Sequence, residues 1–243
     1  MIYAVKCTDV SKHFSLPTRG VKDLILRRVH KREGKFNRSW ALKNISIEVP
    51  KGSAFAIVGH NGTGKSTLLC LILGTLFPDT GNISVDGKVV SLLELGAGFH
   101  PELTGRENIE LYAAILGMSK SYFKENIGKI ITFSELGGSI DQPIRTYSAG
   151  MIARLGFSVI THVEADILLI DEVLAVGDAE FKAKCYRFFE DFRDNGGTLI
   201  IVSHELEELR RICDSGVYIE QGELDTAGTI EEVISDYKSR YEI

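Results

Sequence analysis

The chain has 243 residues, 44% hydrophobic and 25% charged, a globular balance that excludes a disordered or fibrous protein. No apolar run approaches the roughly 18 residues that span a bilayer, so no membrane-crossing segment is expected. The net charge of −5 is uneven: from Arg19 to Arg38 eight basic residues meet two acidic ones, a local +6 that leaves −11 for the rest. A mildly acidic body with one basic strip argues against a general nucleic-acid binder and for a local contact with something anionic.

The N-terminus, Met1-Ile2-Tyr3-Ala4-Val5-Lys6, has no basic segment followed by a long apolar core, so a secretory signal is not expected. Cys7, Cys70, Cys185 and Cys213 lie far apart with no C-x-x-C pair, which predicts free thiols in a reducing compartment, the cytosol. Strands are predicted at 4–10, 45–49, 54–58, 89–93, 167–170, 199–202 and 216–220. The runs Ile167–Ile170 and Leu199–Val202 are continuously apolar, the pattern of strands buried on both faces of a parallel sheet. Helical patterns follow Gly64, Gly105, Ala149, Gly177 and Ser203, and the alternation predicts an α/β fold. Between Phe99 and His162 only helical patterns occur (107–116, 120–133 and 151–162), which predicts a helical insertion over about 99–162.

Gly59-His60-Asn61-Gly62-Thr63-Gly64-Lys65-Ser66-Thr67 matches G-x-x-x-x-G-K-[ST] between the predicted strand 54–58 and the helix from Lys65. Glycines let the backbone wrap so that N–H groups and the helix N-terminus point at phosphate oxygens. Lys65 is expected to neutralise the β- and γ-phosphates, Ser66 to ligate Mg²⁺, and Thr67 to bond the α-phosphate. The run Ile167-Leu168-Leu169-Ile170-Asp171-Glu172 brings two carboxylates out at a strand's C-terminal end, where doubly wound folds bind ligands. Asp171 is expected to hold Mg²⁺, directly or through water, and Glu172 to take a proton from the attacking water.

Tyr147-Ser148-Ala149-Gly150-Met151 lies 20 residues before Asp171 and opens a helical pattern. Ser148 is a good N-cap, and the small residues behind it leave N–H groups able to meet an anion. The segment resembles the L-S-G-G-Q signature of ATP-binding-cassette (ABC) proteins, with Ala149 and Met151 replacing a Gly and the Gln. Ala175-Val176-Gly177-Asp178 occupies the family's D-loop position, and His204, after the strand 199–202, that of the switch histidine. Val10-Ser11-Lys12-His13-Phe14 resembles the segment whose aromatic stacks on adenine; Phe14 is the first choice and Trp40 the alternative, with a core role open for both. Within the family the chain looks most like the ATPase subunits that drive export of lipid-linked polysaccharides such as O-antigen, capsule or teichoic acid. That match is carried by residues 93–108, 147–151 and 172–178.

The resemblance implies a P-loop NTPase (RecA-like) parallel-sheet core, an antiparallel β subdomain and the inserted α-helical subdomain, together one ATP-binding domain over 1–243. It implies ATP and Mg²⁺ as cofactors, and a head-to-tail homodimer with two nucleotides in the interface. Each γ-phosphate would meet Lys65, Asp171, Glu172 and His204 of one subunit and Ser148 and Gly150 of the other, with Ala149 and Asp178 also at the nucleotide. It further implies an integral membrane transporter subunit, a lipid-linked glycan as cargo, and a peripheral place on the cytoplasmic face of the inner membrane. Most members have a Gln before the Pro-x-Leu-Thr-x-x-Glu-Asn segment; here Glu94 is the nearest polar replacement and the expected metal contact. A basic insert at 15–40 is longer than in most members, and Val21, Leu24, Ile25 and Val29 give it one apolar stripe. A solvated loop, contact with inner-leaflet lipid or a glycolipid pyrophosphate, and contact with the membrane subunit are its three readings. Another cargo (an importer or a drug or lipid exporter), or a soluble role without transport, is the alternative function. The sequence stops 39 residues after His204, so the C-terminal carbohydrate-binding domain of some members is expected to be absent.

Overall fold

The computed structural model describes residues 2–15, 38–93, 96, 98–171, 178–203 and 205–241. Strands β1 (Tyr3–Ser15), β2 (Arg38–Pro50) and β4 (Thr80–Val85) form an antiparallel sheet in the order β2-β1-β4. A second sheet has the order β5-β6-β7-β3-β8-β9, from β3 (Ala54–Val58), β5 (Val89–Ser91), β6 (Ile167–Asp171), β7 (Thr198–Val202), β8 (Ser215–Glu220) and β9 (Glu223–Thr229). Its strands run parallel through β8, and only the edge strand β9 is antiparallel. Every residue of β3 and β7 is buried, as the continuous apolar runs require for a central parallel pair.

Helix α1 (Lys65–Leu73) leaves the end of β3, and Leu68, Leu69, Leu71 and Ile72 bury one face between the two sheets. Three helices fill the stretch between β5 and β6: α2 (Gly105–Ile115), α3 (Lys120–Ser134) and α4 (Ala149–Ile160). The last two of these pack with α5 (Ala179–Asp194) through an aromatic cluster of Phe133, Phe157, Phe181, Phe188 and Phe189. Helices α6 (Leu206–Ile212) and α7 (Ile230–Tyr241) complete the chain order.

The start of α2 explains why the segment Pro101–Asn108 has its composition. Thr104 and Glu107 form a reciprocal capping box, the Thr104 side chain accepting from the Glu107 N–H and the Glu107 carboxylate from the Thr104 N–H. Asn108 is buried; its amide donates to the His100, Leu103 and Thr104 carbonyls and its oxygen accepts from the His100 N–H at 2.7 Å. A polar side chain with four partners thus fixes the turn ahead of the helix.

Among the described residues β4, β9, α7 and two short 3-10 helices (Gly137–Asp141 and Ile144–Thr146) lie beyond the predicted elements, and β1 and β2 are longer than their apolar centres. No helix among the described residues is long and apolar enough to cross a membrane. The basic insert between β1 and β2, with its apolar stripe, lies outside the described residues apart from its ends.

Candidate functional site

The loop 59–64 joins buried β3 to α1 and is walled in on two sides. Gly64, at φ 104°, is the N-cap of α1, and a Cβ there would strike the Ala41 carbonyl oxygen and the Leu42 side chain. At Gly59 a Cβ would come within 2.5 Å of the Ile219 carbonyl oxygen on β8. Close backbone approach from β2 and β8 therefore leaves room only for glycine. The His60 carbonyl gathers three donors: Lys65 Nζ at 2.8 Å, the Thr63 N–H at 3.3 Å and the Thr63 hydroxyl at 2.9 Å. Lys65 is buried and its ammonium also donates to the Gly59 carbonyl at 2.7 Å. The cation is thus held at the loop by carbonyl oxygens, in place to meet an anion there.

Ser66, one residue into α1, donates its hydroxyl to Asp171 Oδ2 at 3.1 Å, linking the helix start to the C-terminal end of β6. A cavity of about 540 Å³ opens over these groups. It is lined by Asn61, Gly62, Gly64, Lys65, Ser66 and Thr67 of the loop and helix start, by Asp171, and by Phe14 and Ala41. The size falls within the roughly 300–1,000 Å³ of small-ligand sites. Ser66 and Asp171 supply two hard oxygen donors within bonding distance of each other, and no group of three or more His, Cys, Asp or Glu side chains gathers among the described residues. That donor set fits Mg²⁺ carried in on phosphate oxygens and water, which needs one or two protein ligands rather than a protein cage.

The aromatic alternatives separate. Phe14 is 42% exposed and lines the cavity, whereas Trp40, 41% exposed, lies against the His13 ring at 5.2 Å and does not line it. Neither belongs to the core. The His60 ring packs on Tyr237 and Tyr241 of α7, so at this position only the backbone belongs to the phosphate loop.

Ser148, Ala149, Gly150 and Asp178 do not line the cavity. Ser148 caps α4, its hydroxyl accepting from the Met151 N–H at 3.2 Å. Asp178 caps α5 by accepting from the Phe181 N–H at 3.0 Å, and that bond, more than any other contact, holds its carboxyl below the usual aspartate range. Arg154, in the second turn of α4, bridges Asp178 and Glu135: Nη2 reaches Asp178 at 2.6 Å and Nη1 reaches Glu135 at 3.1 Å. Its guanidinium also lies over the Phe181 ring, 4.7 Å from the centroid, and Lys184 completes the cluster on Glu135 at 2.8 Å. Arg154, Glu135 and Lys184 carry no motif of their own; an arginine six residues after Ser148 on the same helix was the available signal. Glu94, Glu172, His204 and the D-loop residues 175–177 lie outside the described residues.

A parallel sheet with a glycine-walled loop, a buried lysine and a serine–aspartate pair at the strand ends defines a P-loop nucleotide-binding protein. Residues 42–175 match the family described as ABC transporter. The chain belongs to that family and is an ATPase of the ABC class. It is 49% identical to "O-antigen export system ATP-binding protein RfbB" of Klebsiella pneumoniae, over 96% of this chain and 97% of that protein. It is 38% identical to "Teichoic acids export ATP-binding protein TagH" of Bacillus cereus, over 98% of this chain but 43% of that longer protein. Among solved structures, the ATP-binding subunit of an ABC transporter superposes with a TM-score of 0.77 at 20% identity, covering 98% of this chain and 93% of that one. A dimeric ATP-binding cassette in a post-hydrolysis state, bound to ADP and Pi, superposes at 0.74 and 20% identity, covering 93% of this chain and 98% of that one. These two likenesses establish the fold.

Proposed function

We propose that this chain is the ATP-hydrolysing subunit of an exporter of lipid-linked polysaccharide, working as a homodimer with a separate integral membrane subunit on the cytoplasmic face of the membrane. The observation that carries the cargo is the 49% identity with an O-antigen export ATPase along almost the full length of both chains. The observation that carries the nucleotide is the Ser66–Asp171 bond beside the Lys65 cradle.

Residues 1–243 act as one nucleotide-binding domain, with 99–162 as its helical insertion. Lys65 and the N–H groups of residues 59–67 hold the phosphates, Ser66 and Asp171 hold Mg²⁺ with Glu94 as a further candidate contact, and Phe14 stacks on the base. Mg²⁺ held there would supply charge neutralisation to the phosphates. Glu172 accepts a proton from the attacking water and His204 contacts the γ-phosphate. The signature residues Ser148, Ala149 and Gly150, with Asp178, serve the nucleotide of the opposite subunit, since they stand away from the cavity of their own chain. ATP then joins the subunits and hydrolysis releases them, moving the insertion against the membrane subunit. The basic insert, at +6 between Arg19 and Arg38, suits an anionic leaflet or a pyrophosphate-linked lipid.

Reconstitution with the membrane subunit in liposomes tests this reading. ATPase activity should rise on adding lipid-linked polysaccharide and the glycan should become protected inside the vesicle. Activity that ignores the glycolipid but answers another cargo would replace the polysaccharide reading.

A further inference from the structure

The phosphate loop touches a part of the molecule that none of its motifs mentions. The His60 ring lies 3.9 Å from the Tyr241 ring, nearly edge-on, and 5.5 Å from Tyr237. Tyr237 meets Tyr241 at 5.3 Å and Tyr218 of β8 at 5.5 Å. Tyr241 donates its hydroxyl to Glu220 Oε2 at 2.7 Å, and Tyr218 donates to the same oxygen. Both phenols hold the Glu220 carboxyl below its ordinary value.

The helix that carries Tyr241 is itself fixed to the sheet. Arg240 pairs with Asp225 at 3.2 Å, Asp236 accepts from Thr226, and Glu232 accepts from the Thr229 N–H at 2.8 Å. The His60 Nε2 atom is buried with no hydrogen-bond partner among the described residues. Aromatic packing, rather than a hydrogen bond from Nε2, therefore decides where this ring sits. The same residue's carbonyl collects Lys65 and both Thr63 donors, so the position of His60 sets the shape of the loop. Gly59 and Gly64 are held by β8 and β2, but Gly62, at φ 84° and with open space where a Cβ would stand among the described residues, leaves the middle of the loop free unless its neighbour His60 is pinned.

We infer that Tyr241 is a positioning residue, which acts through His60 to hold the phosphate loop in its binding shape ahead of nucleotide. The inference rests on the reading of residues 59–67 as the ATP site. A pinned loop loses less freedom when phosphate arrives, so the effect belongs to affinity rather than to the chemical step. It also makes the C-terminal helix part of the nucleotide site, so anything that moves α7 changes ATP affinity.

The test uses the full chain and MgATP, with Tyr241→Leu, which removes the ring, and Tyr241→Phe, which keeps it. Tyr241→Leu should weaken MgATP binding and raise KM by roughly 2- to 12-fold, the range of one aromatic pair, with kcat nearly unchanged. Tyr241→Phe should restore affinity even where both variants melt below the wild type. In the NMR spectrum the His60 ring proton should show the ring-current shift of Tyr241, lose it in Tyr241→Leu, and move on MgATP addition. A wild type that binds no MgATP removes the ATP reading and this inference with it. A wild type that binds, with folded Tyr241→Leu binding equally well and the His60 resonance unmoved by nucleotide, leaves the ATP site standing and overturns the inference alone.

Discussion

Gly64 and Gly150 each stand at the start of a helix, and their surroundings differ. Gly64 sits at φ 104° with β2 pressed against it, so no other residue fits without moving Ala41 or Leu42. Gly150, inside the first turn of α4, is not among the positive-φ glycines, and among the described residues a Cβ there would meet nothing nearer than the Ser148 hydroxyl oxygen at 3.8 Å. The phosphate loop needs its glycine to fold, whereas the signature helix does not. No described residue of the subunit asks for Gly150, so a requirement for it points to a body outside the subunit, which under the proposed arrangement is the nucleotide held by its partner.

The largest effect expected lies at the chemical end of the phosphate-loop region. Glu172→Gln should keep ATP binding while turnover falls by roughly 10²–10⁴, the usual worth of a positioned general base. It should also accumulate an ATP-dependent dimer, visible by light scattering. Phosphate release at the wild-type rate would take Glu172 out of that role.

Alanine at the two glycines sharpens the contrast because the signs differ. Gly64→Ala should destabilise the isolated subunit by about 1–3 kcal/mol through strain alone, with further loss from the clash, and weaken ATP binding. Gly150→Ala should stabilise it by up to about 1 kcal/mol, since alanine suits a helix better, and leave ATP affinity of the monomer unchanged. Hydrolysis should nevertheless fall in Gly150→Ala. Urea unfolding and ATP titration of both variants measure this, and full hydrolysis in Gly150→Ala would mean that no partner nucleotide needs the space.

Ser148→Ala narrows the question to the cap. Loss of the bond to the Met151 N–H should cost about 1 kcal/mol of stability. ATP affinity of the separate subunit should not change, while hydrolysis, which requires the opposed pair, should drop. Equal loss of ATP binding in the monomer would place Ser148 at its own chain's nucleotide and break the head-to-tail arrangement.

How far the sequence discloses each region follows from the same contrast. The phosphate loop is legible because its chemistry is backbone chemistry, so Gly59, Gly62 and Gly64 mark the places where side chains are forbidden. The central strands are legible because both faces are buried. The edge strand β9, Glu223–Thr229, buries none of its residues fully; its faces alternate only between exposed and half-buried, and Leu224 is its one large apolar side chain, too weak a pattern to mark a strand. Strand β4 is more exposed still, with a positive-φ Gly81 close to Asp9 of β1. Helix α7 did carry a signal, since Ile230, Val233, Ile234 and Tyr237 repeat at 0, 3, 4 and 7 and are buried. At the site, the cap at Ser148 could be read from one residue type. The bridge from Arg154 to Asp178 could not, because an ion pair between residues 24 apart leaves no periodic trace.

That bridge yields the smallest expected effect, a dependence on pH. Asp178 accepts from the Phe181 N–H and pairs with Arg154, and both contacts favour its ionised form and hold its folded pKa down. An aspartate so depressed contributes stability above its unfolded value of about 3.9 and loses it as pH falls through the lower folded value. Asp178→Asn isolates the charge, because asparagine caps a helix about as well as aspartate. At neutral pH the variant should be slightly less stable, having lost the pair with Arg154. Below about pH 4 the difference should close as the wild-type carboxyl takes up its proton. The other depressed carboxyls, among them Asp79, Glu107 and Asp141, titrate in both proteins and cancel in the difference. Urea midpoints of the two proteins from pH 6 downward measure it. Parallel curves through the acid limb would mean that Arg154 and the cap gain nothing from the charge on Asp178, and that the signature helix is joined to α5 by packing on Phe181 instead.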